Sequence, residues 1–241
     1  MLLLCTTDRS IAGDAATRVA AELAERLRVE LSSLDVHRRD PDPSHGLLTA
    51  AQATGCDLLV VGYAPRAAIK TASTPGWQRR IIRDTPSPVM LVPAGPEPPG
   101  DGDLVLGCGA SALPHQAAAT AARLARRLRT TFILTDVLAG GWTPYASGWR
   151  LDHGAHAPAR DAALASSTTV HSCQVVEERP SDRMAYPATM HEAALVVIAG
   201  RRRGRGLLPR RNVGHGVLHG AGRLPVIVTP SRTGAALSKS E

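Results

Sequence analysis

Six arginines, Arg201, Arg202, Arg203, Arg205, Arg210 and Arg211, fall within eleven residues, interleaved with or followed by Gly204, Gly206 and Gly214 and preceded by Gly200. Guanidinium groups match phosphate geometry bidentately, and like charges crowded on one segment favour an anion among them. Glycines let backbone N–H groups approach such an anion, and a helix after the loop would turn its positive end toward it. Phosphate or nucleotide binding is therefore one reading of this loop. A solvated basic surface is the other, with nucleic acid or an acidic protein behind both. Trp142, Tyr145 and Trp149 put three of the seven aromatics within eight residues. They suit a lid or base-stacking wall, or equally an apolar cover over the first half of the chain.

Other reactive side chains carry less. His215 and His219 stand at i, i+4, and His153 and His156 at i, i+3, but the sequence identifies no third ligand for either pair, so no metal is inferred. Ser10 and Ser111 lack a surrounding G-x-S-x-G elbow and read as turn or helix-start residues. With no base–nucleophile constellation, no catalytic residue is assigned and the chain is not read as an enzyme. Cys5, Cys56, Cys108 and Cys173 are scattered without a CxxC pair, which suits buried reduced thiols and a cytoplasmic protein. No stretch reaches the 18 or so apolar residues of a membrane span. Aromatics are only 3%, so the cores must be built from Ala, Leu and Val, and a single-strand nucleic-acid platform is disfavoured. The net charge of +7 is uneven: residues 1–100 hold 11 Lys+Arg and 11 Asp+Glu, leaving 17 and 10 for residues 101–241. Any anionic partner should prefer the second half.

The elements that must carry these residues come twice. Leu23 to Val36 and Leu124 to Val137 align without gaps at an offset of 101, with seven identities in 14 residues. Upstream, Ala16, Val19, Ala20, Leu23, Ala24 and Leu27 make a helical apolar stripe that Ala117, Ala121, Leu124, Ala125 and Leu128 repeat. Each copy thus opens strand, helix, strand. Each also closes alike, Leu58–Gly62 matching Leu195–Gly200 as strands buried on both faces, and Pro88–Pro93 matching Pro225–Pro230. Ser10 to Gly62 spans 52 residues and Ser111 to Gly200 spans 89, an excess of 37 that holds a loop, a helix over 157–166 and a strand over 168–176. The expected architecture is α/β, two tandem Rossmann-like parallel-sheet domains with right-handed crossovers, the first truncated to four strands. The expected bounds are 1–95 for the truncated domain, 96–102 for a stiff Pro/Gly linker, 103–231 for the full domain, and 232–241 for a disordered tail.

Those pieces in that order resemble the universal stress protein family in a tandem two-domain form. The resemblance rests on Leu3 to Ser10, similar to the family's opening strand and Asp-Gly-Ser turn, on Asp57–Gly62, and on the terminal Pro-Val-hydrophobic strands. It implies a five-stranded Rossmann-like fold, dimer-type pairing of domains, and in some members ATP binding through a Gly-x2-Gly-x9-Gly-Ser/Thr loop after the fourth strand. Gly204-x9-Gly214 keeps the nine-residue spacing, while the gap from Gly200 to Gly204 is one residue too long and His215 replaces the Ser or Thr. The family's acidic residue after strand one matches Asp8 in the first copy and Gly109 in the second, and Tyr63-Ala64-Pro65 replaces the second glycine in the first copy. The resemblance places ATP or a related adenine nucleotide in the second domain, on Gly200, Arg201, Arg202, Arg203, Gly204, Gly206, Gly214 and His215, with the adenine near Val137. The function expected is regulatory; the alternative is a nucleotide-independent adaptor docking an acidic partner through the basic second-half surface. The expected partners are the two domains for each other through their last strands, with a homodimer and a small anionic ligand left open, and neither membrane nor nucleic acid.

Overall fold

The computed structural model describes residues 1–36, 42–63, 76–95, 102, 104–109, 115–139, 170–177, 193–199 and 224–230. In chain order these form β1 (Leu2–Thr7), α1 (Ile11–Leu27), β2 (Glu30–Asp35), α2 (Ser44–Thr54), β3 (Leu58–Tyr63), α3 (Gly76–Asp84), β4 (Val89–Pro93), β5 (Leu104–Gly109), α4 (His115–Leu128), β6 (Phe132–Ala139), β7 (Val170–Glu177), β8 (Leu195–Ala199) and β9 (Val226–Thr229). All nine strands lie in one sheet, ordered β2-β1-β3-β4-β9-β8-β5-β6-β7. Every neighbouring pair is parallel except β4 and β9, which run antiparallel with Met90 opposite Ile227. The first four strands and the last five therefore make two parallel blocks of opposite direction. The strand read from 168–176 is β7. The helix read over 157–166, the linker residues 96–100 and the tail after 232 lie outside the described residues.

The α1 segment is helical because its ends are closed and one face is apolar. The Ser10 hydroxyl accepts from the Gly13 N–H at 3.0 Å, and Asp14 sits in the first turn where the helix dipole favours an acid. At the other end Arg28 adopts a left-handed conformation, φ 53°, and its N–H reaches the Ala24 and Glu25 carbonyls. Such a conformation costs a non-glycine residue roughly 1 kcal/mol, which the satisfied carbonyls offset. Arg129 ends α4 in the same way at φ 55°, 101 residues later. The repeat seen in the letters is thus a repeat in backbone conformation.

Strand register carries it further. Leu3 faces Leu31 and Leu104 faces Phe132, both pairs 28 residues apart; Leu59 faces Val89 and Val196 faces Val226, both 30 apart. The Leu59 N–H donates to the Pro88 carbonyl at 3.0 Å, and the Val196 N–H to the Pro225 carbonyl at 3.0 Å. One detail of the sequence reading is corrected. Leu3 pairs with Leu58 and Leu104 with Leu195, separations of 55 and 91, so the excess is 36 residues rather than 37. Gly62 then corresponds to Ala199, not Gly200, because hydrogen-bond register, unlike matching of letters, admits no one-residue slip without turning every side chain to the opposite face.

The strands at the centre of the sheet are buried on both faces. On one face, Leu3, Cys5, Leu58, Val60, Met90, Val92, Leu195, Val197 and Ile227 pack under α1 and α4. On the other, Leu4, Leu59, Val61, Leu91, Val196, Val226 and Val228 join α2 and the α3 residue Ile81. Both cores cross the β4–β9 junction without a break. At the outer edge β2 is only half covered.

Candidate nucleotide site

In parallel α/β sheets ligands bind beyond the carboxyl ends of strands, where the strand order reverses. That point lies at β1 and β3 in the first block and at β5 and β8 in the second. In the first block the Asp8 carboxylate is already engaged. Its Oδ1 accepts from the Ser10 N–H at 3.0 Å and from the Ser10 hydroxyl at 2.5 Å, fixing the turn that starts α1. Arg9, standing where the resembled Asp-Gly-Ser turn has glycine, takes a left-handed φ of 54°. Asp8 thus serves as a helix-start residue.

The end of β3 is closed by the same helix. A Cβ placed on Gly62 would lie 2.5 Å from both the carbonyl carbon and the oxygen of Ala12, and 2.7 Å from the Gly13 nitrogen. Glycine is required here by close approach of two backbones. The carbonyl of Gly62 accepts from Gln78 Nε2 at 3.0 Å, and Gln78, from the first turn of α3, is 3% exposed. Its Oε1 finds no partner among the described residues. Nothing in the spacing of the sequence marks Gln78, since its place depends on how α3 folds back over β3. Near this end Cys5 is buried, and burial pushes its thiol up to about 11 despite a hydrogen bond from Thr17. It packs in the core face under α1.

The second block is built differently at the equivalent positions. Gly109, at the position of Asp8, ends β5 and pairs in register with Val137 on β6. On its other side β5 pairs with β8, whose last residue is Ala199. Parallel pairing brings Gly109, Val137 and the point where the chain leaves β8 toward Gly200 to one edge of the sheet. By register Ala199 stands where the first block has Gly62. Of the residues assigned from sequence, Val137 lies in this strand register. Gly200, Arg201, Arg202, Arg203, Gly204, Gly206, Gly214 and His215 lie outside the described residues, as do Ser111, Trp142, Tyr145, Trp149, His153, His156 and His219. Among the described residues no three His, Cys, Asp or Glu side chains are grouped to hold a metal ion. No described helix is long and apolar enough to cross a membrane.

Residues 8–93, from the Asp8 turn through β4, match the model of the universal stress protein family. The first block is a universal stress protein domain. The likeness in fold extends past it. A universal stress protein from Archaeoglobus fulgidus DSM 4304 superposes over 96% of this chain and 98% of its own, with a TM-score of 0.65 and 11% identity. A Pseudomonas aeruginosa PAO1 protein does so over 95% of this chain and 82% of its own, with a TM-score of 0.52 and 18% identity. At such identities these likenesses speak for the fold alone. A shorter universal stress protein from Archaeoglobus fulgidus, in complex with dAMP, aligns over 53% of this chain and 96% of its own, with 19% identity and a TM-score of 0.41, too loose a superposition to bear on the ligand of this chain. No curated protein matches. Within the universal stress protein domain the family's opening acid is present but spent on its own turn, and the end of β3 is shut by backbone.

Proposed function

We propose that the chain is a tandem universal stress-type regulatory protein, without chemistry of its own, that senses an adenine nucleotide through its second block. The observation that carries this reading is the asymmetry between the two strand-end sites. In the first, Asp8 is tied to Ser10 and Gly62 is sealed against Ala12. In the second, Gly109 removes the carboxylate from beside Val137, and the chain leaves β8 directly into the arginine-glycine segment. Removing an anion where phosphates would come, while adding arginines, shifts the local field in favour of a nucleotide. The matched registers and helix ends support a tandem origin, and the β4–β9 pairing supports docking of the two blocks within one chain. ATP is the ligand to test first, and the proposed cytoplasmic location rests on the scattered cysteines, which form no CxxC pair. The competing reading, an adaptor that docks an acidic partner, rests on the same excess of charge in residues 101–241.

Titration calorimetry with ATP and with adenosine separates the two. Arg201→Gln, Arg202→Gln and Arg203→Gln together should weaken ATP at least tenfold and leave adenosine within about twofold, since only ATP has phosphates to lose. Wild-type affinity for ATP should also fall as salt rises, screening being effective beyond about 8 Å at physiological ionic strength. Absence of ATP binding in the wild type, or equal losses for ATP and adenosine, would leave the adaptor reading standing.

A further inference from the structure

A concavity lies at the amino ends of β1, β3 and β4, away from the Asp8 and Gly62 end of the first block. It has a volume of about 300 Å³, at the lower end of small-molecule sites. One wall comes from the first block: the C-terminal turn of α2 with Ala51, the start of β3 with Leu58, and the Pro86-Ser87-Pro88 turn before β4. The other comes from the second block, where α4 contributes Thr120, Arg123 and Leu124. The cavity therefore exists only because the two blocks are joined. Farther along α4, Arg127 reaches across to the Met1 sulfur at 3.8 Å, consistent with the helix lying over this end of the first block.

The polar groups of the lining differ in what they have left to offer. Ser87 gives its hydroxyl proton to the Cys56 carbonyl at 2.6 Å. Asp57 accepts from the Leu2 N–H at 2.7 Å and lies 3.7 Å from the amino group of Met1. The Cys56 thiol is buried 3.8 Å from the Ser87 oxygen, and burial pushes it up. Arg123, half-buried, makes no ion pair among the described residues. An apolar wall with one uncommitted guanidinium matches a ligand with an apolar body and one anionic end. We infer that this inter-block cavity binds a small amphipathic carboxylate, its chain or ring against Ala51, Leu58, Pro88 and Leu124 and its carboxylate on Arg123. This is independent of the nucleotide reading, because the cavity lining includes none of the residues assigned to that site.

Ligand-observed NMR and calorimetry on the full chain test it with 4-phenylbutyrate and its uncharged analogue 4-phenylbutanol. The wild type should bind the acid at one site with sub-millimolar affinity and the alcohol more weakly. Arg123→Gln should weaken the acid about tenfold and the alcohol less than twofold, Arg123→Lys should restore most of the difference, and Thr120→Trp should block both by filling the mouth. Arg201→Gln/Arg202→Gln/Arg203→Gln should bind the acid as the wild type does. Melting temperature and circular dichroism confirm that each variant is folded, and Arg123→Gln, on a half-buried helical position, keeps the test available if Thr120→Trp does not fold. No binding of the acid by the wild type, equal binding by folded Arg123→Gln, or loss only in the triple arginine variant would overturn the inference.

Discussion

Gly62 shows how one absent methyl group fixes a site. Its Cα faces the backbone of Ala12 and Gly13 at distances no Cβ tolerates, and the atoms in the way belong to the main chain rather than to a flexible side chain. Gly62→Ala must therefore push α1 away from β3 or bend the strand, at a cost of about 3 kcal/mol. Denaturant unfolding should show a lower midpoint with the slope unchanged; a loss below about 0.5 kcal/mol would mean that α1 does not seat on β3 as the structure has it. That Gly62 is a glycine is legible in the sequence. That it serves to close a strand end against a helix, instead of opening it to phosphate, is not. The same residue type serves both purposes, and only the distance to Ala12 separates them.

Among the elements, α2 and α3 are coupled through their ends. Asp42, just before α2, accepts from the Ser44 hydroxyl and N–H, and also pairs with Arg80 on α3. The Ser44 hydrogen bonds first, with the charges of Arg80 and His45 adding to them, hold its carboxyl below the ordinary value of 3.8. A carboxyl lowered in the folded state binds protons more readily when unfolded. Its stabilisation is therefore complete above the unfolded value, near pH 4, and is lost as pH falls through the lower folded one. Between pH 5 and pH 3 the wild type should lose more stability than Asp42→Asn, by an amount kept small because Asp42 and Arg80 are exposed to solvent. Parallel acid titrations of unfolding would reveal the gap, and superimposable curves would remove Asp42 from any role in holding α2 to α3. Of the helices, α1 and α4 were readable from apolar spacing, while α2 and α3 were not read from the sequence. The Asp42–Arg80 pair was not, because 38 residues separate its members and neither sits in a local motif.

At the scale of the whole molecule the decisive contact is the antiparallel pairing of β4 with β9. Met90 and Ile227 face each other there, both 0% exposed, in a core that runs from α1 to α4. Ile227→Ala and Met90→Ala should each cost about 3 kcal/mol, through lost burial and the cavity left behind. Because the two side chains share that cavity, the double variant should depart from the sum of the singles by more than about 0.5 kcal/mol. Equilibrium unfolding of the four proteins gives the coupling directly, and strict additivity would mean that the junction does not form in solution.

The sequence by itself determined what depends on neighbours in the chain. Apolar spacing and the offset of 101 gave α1 and α4; runs of Leu, Ile and Val gave the buried strands; and the first block's shortfall gave it four strands. The arginine-glycine segment was marked by composition alone. Tertiary structure decided what depends on pairing across the chain: the equivalence of Gly62 with Ala199, the commitment of Asp8 to its own turn, the placing of Gly109 beside Val137, and the cavity at Arg123. The physical reason is one of range. Helical and strand periodicity act over three or four residues and are written in side-chain types. Strand register and helix–strand approach are set by hydrogen bonds and backbone distances between residues 28 to 139 positions apart, and identical letters fit more than one such arrangement.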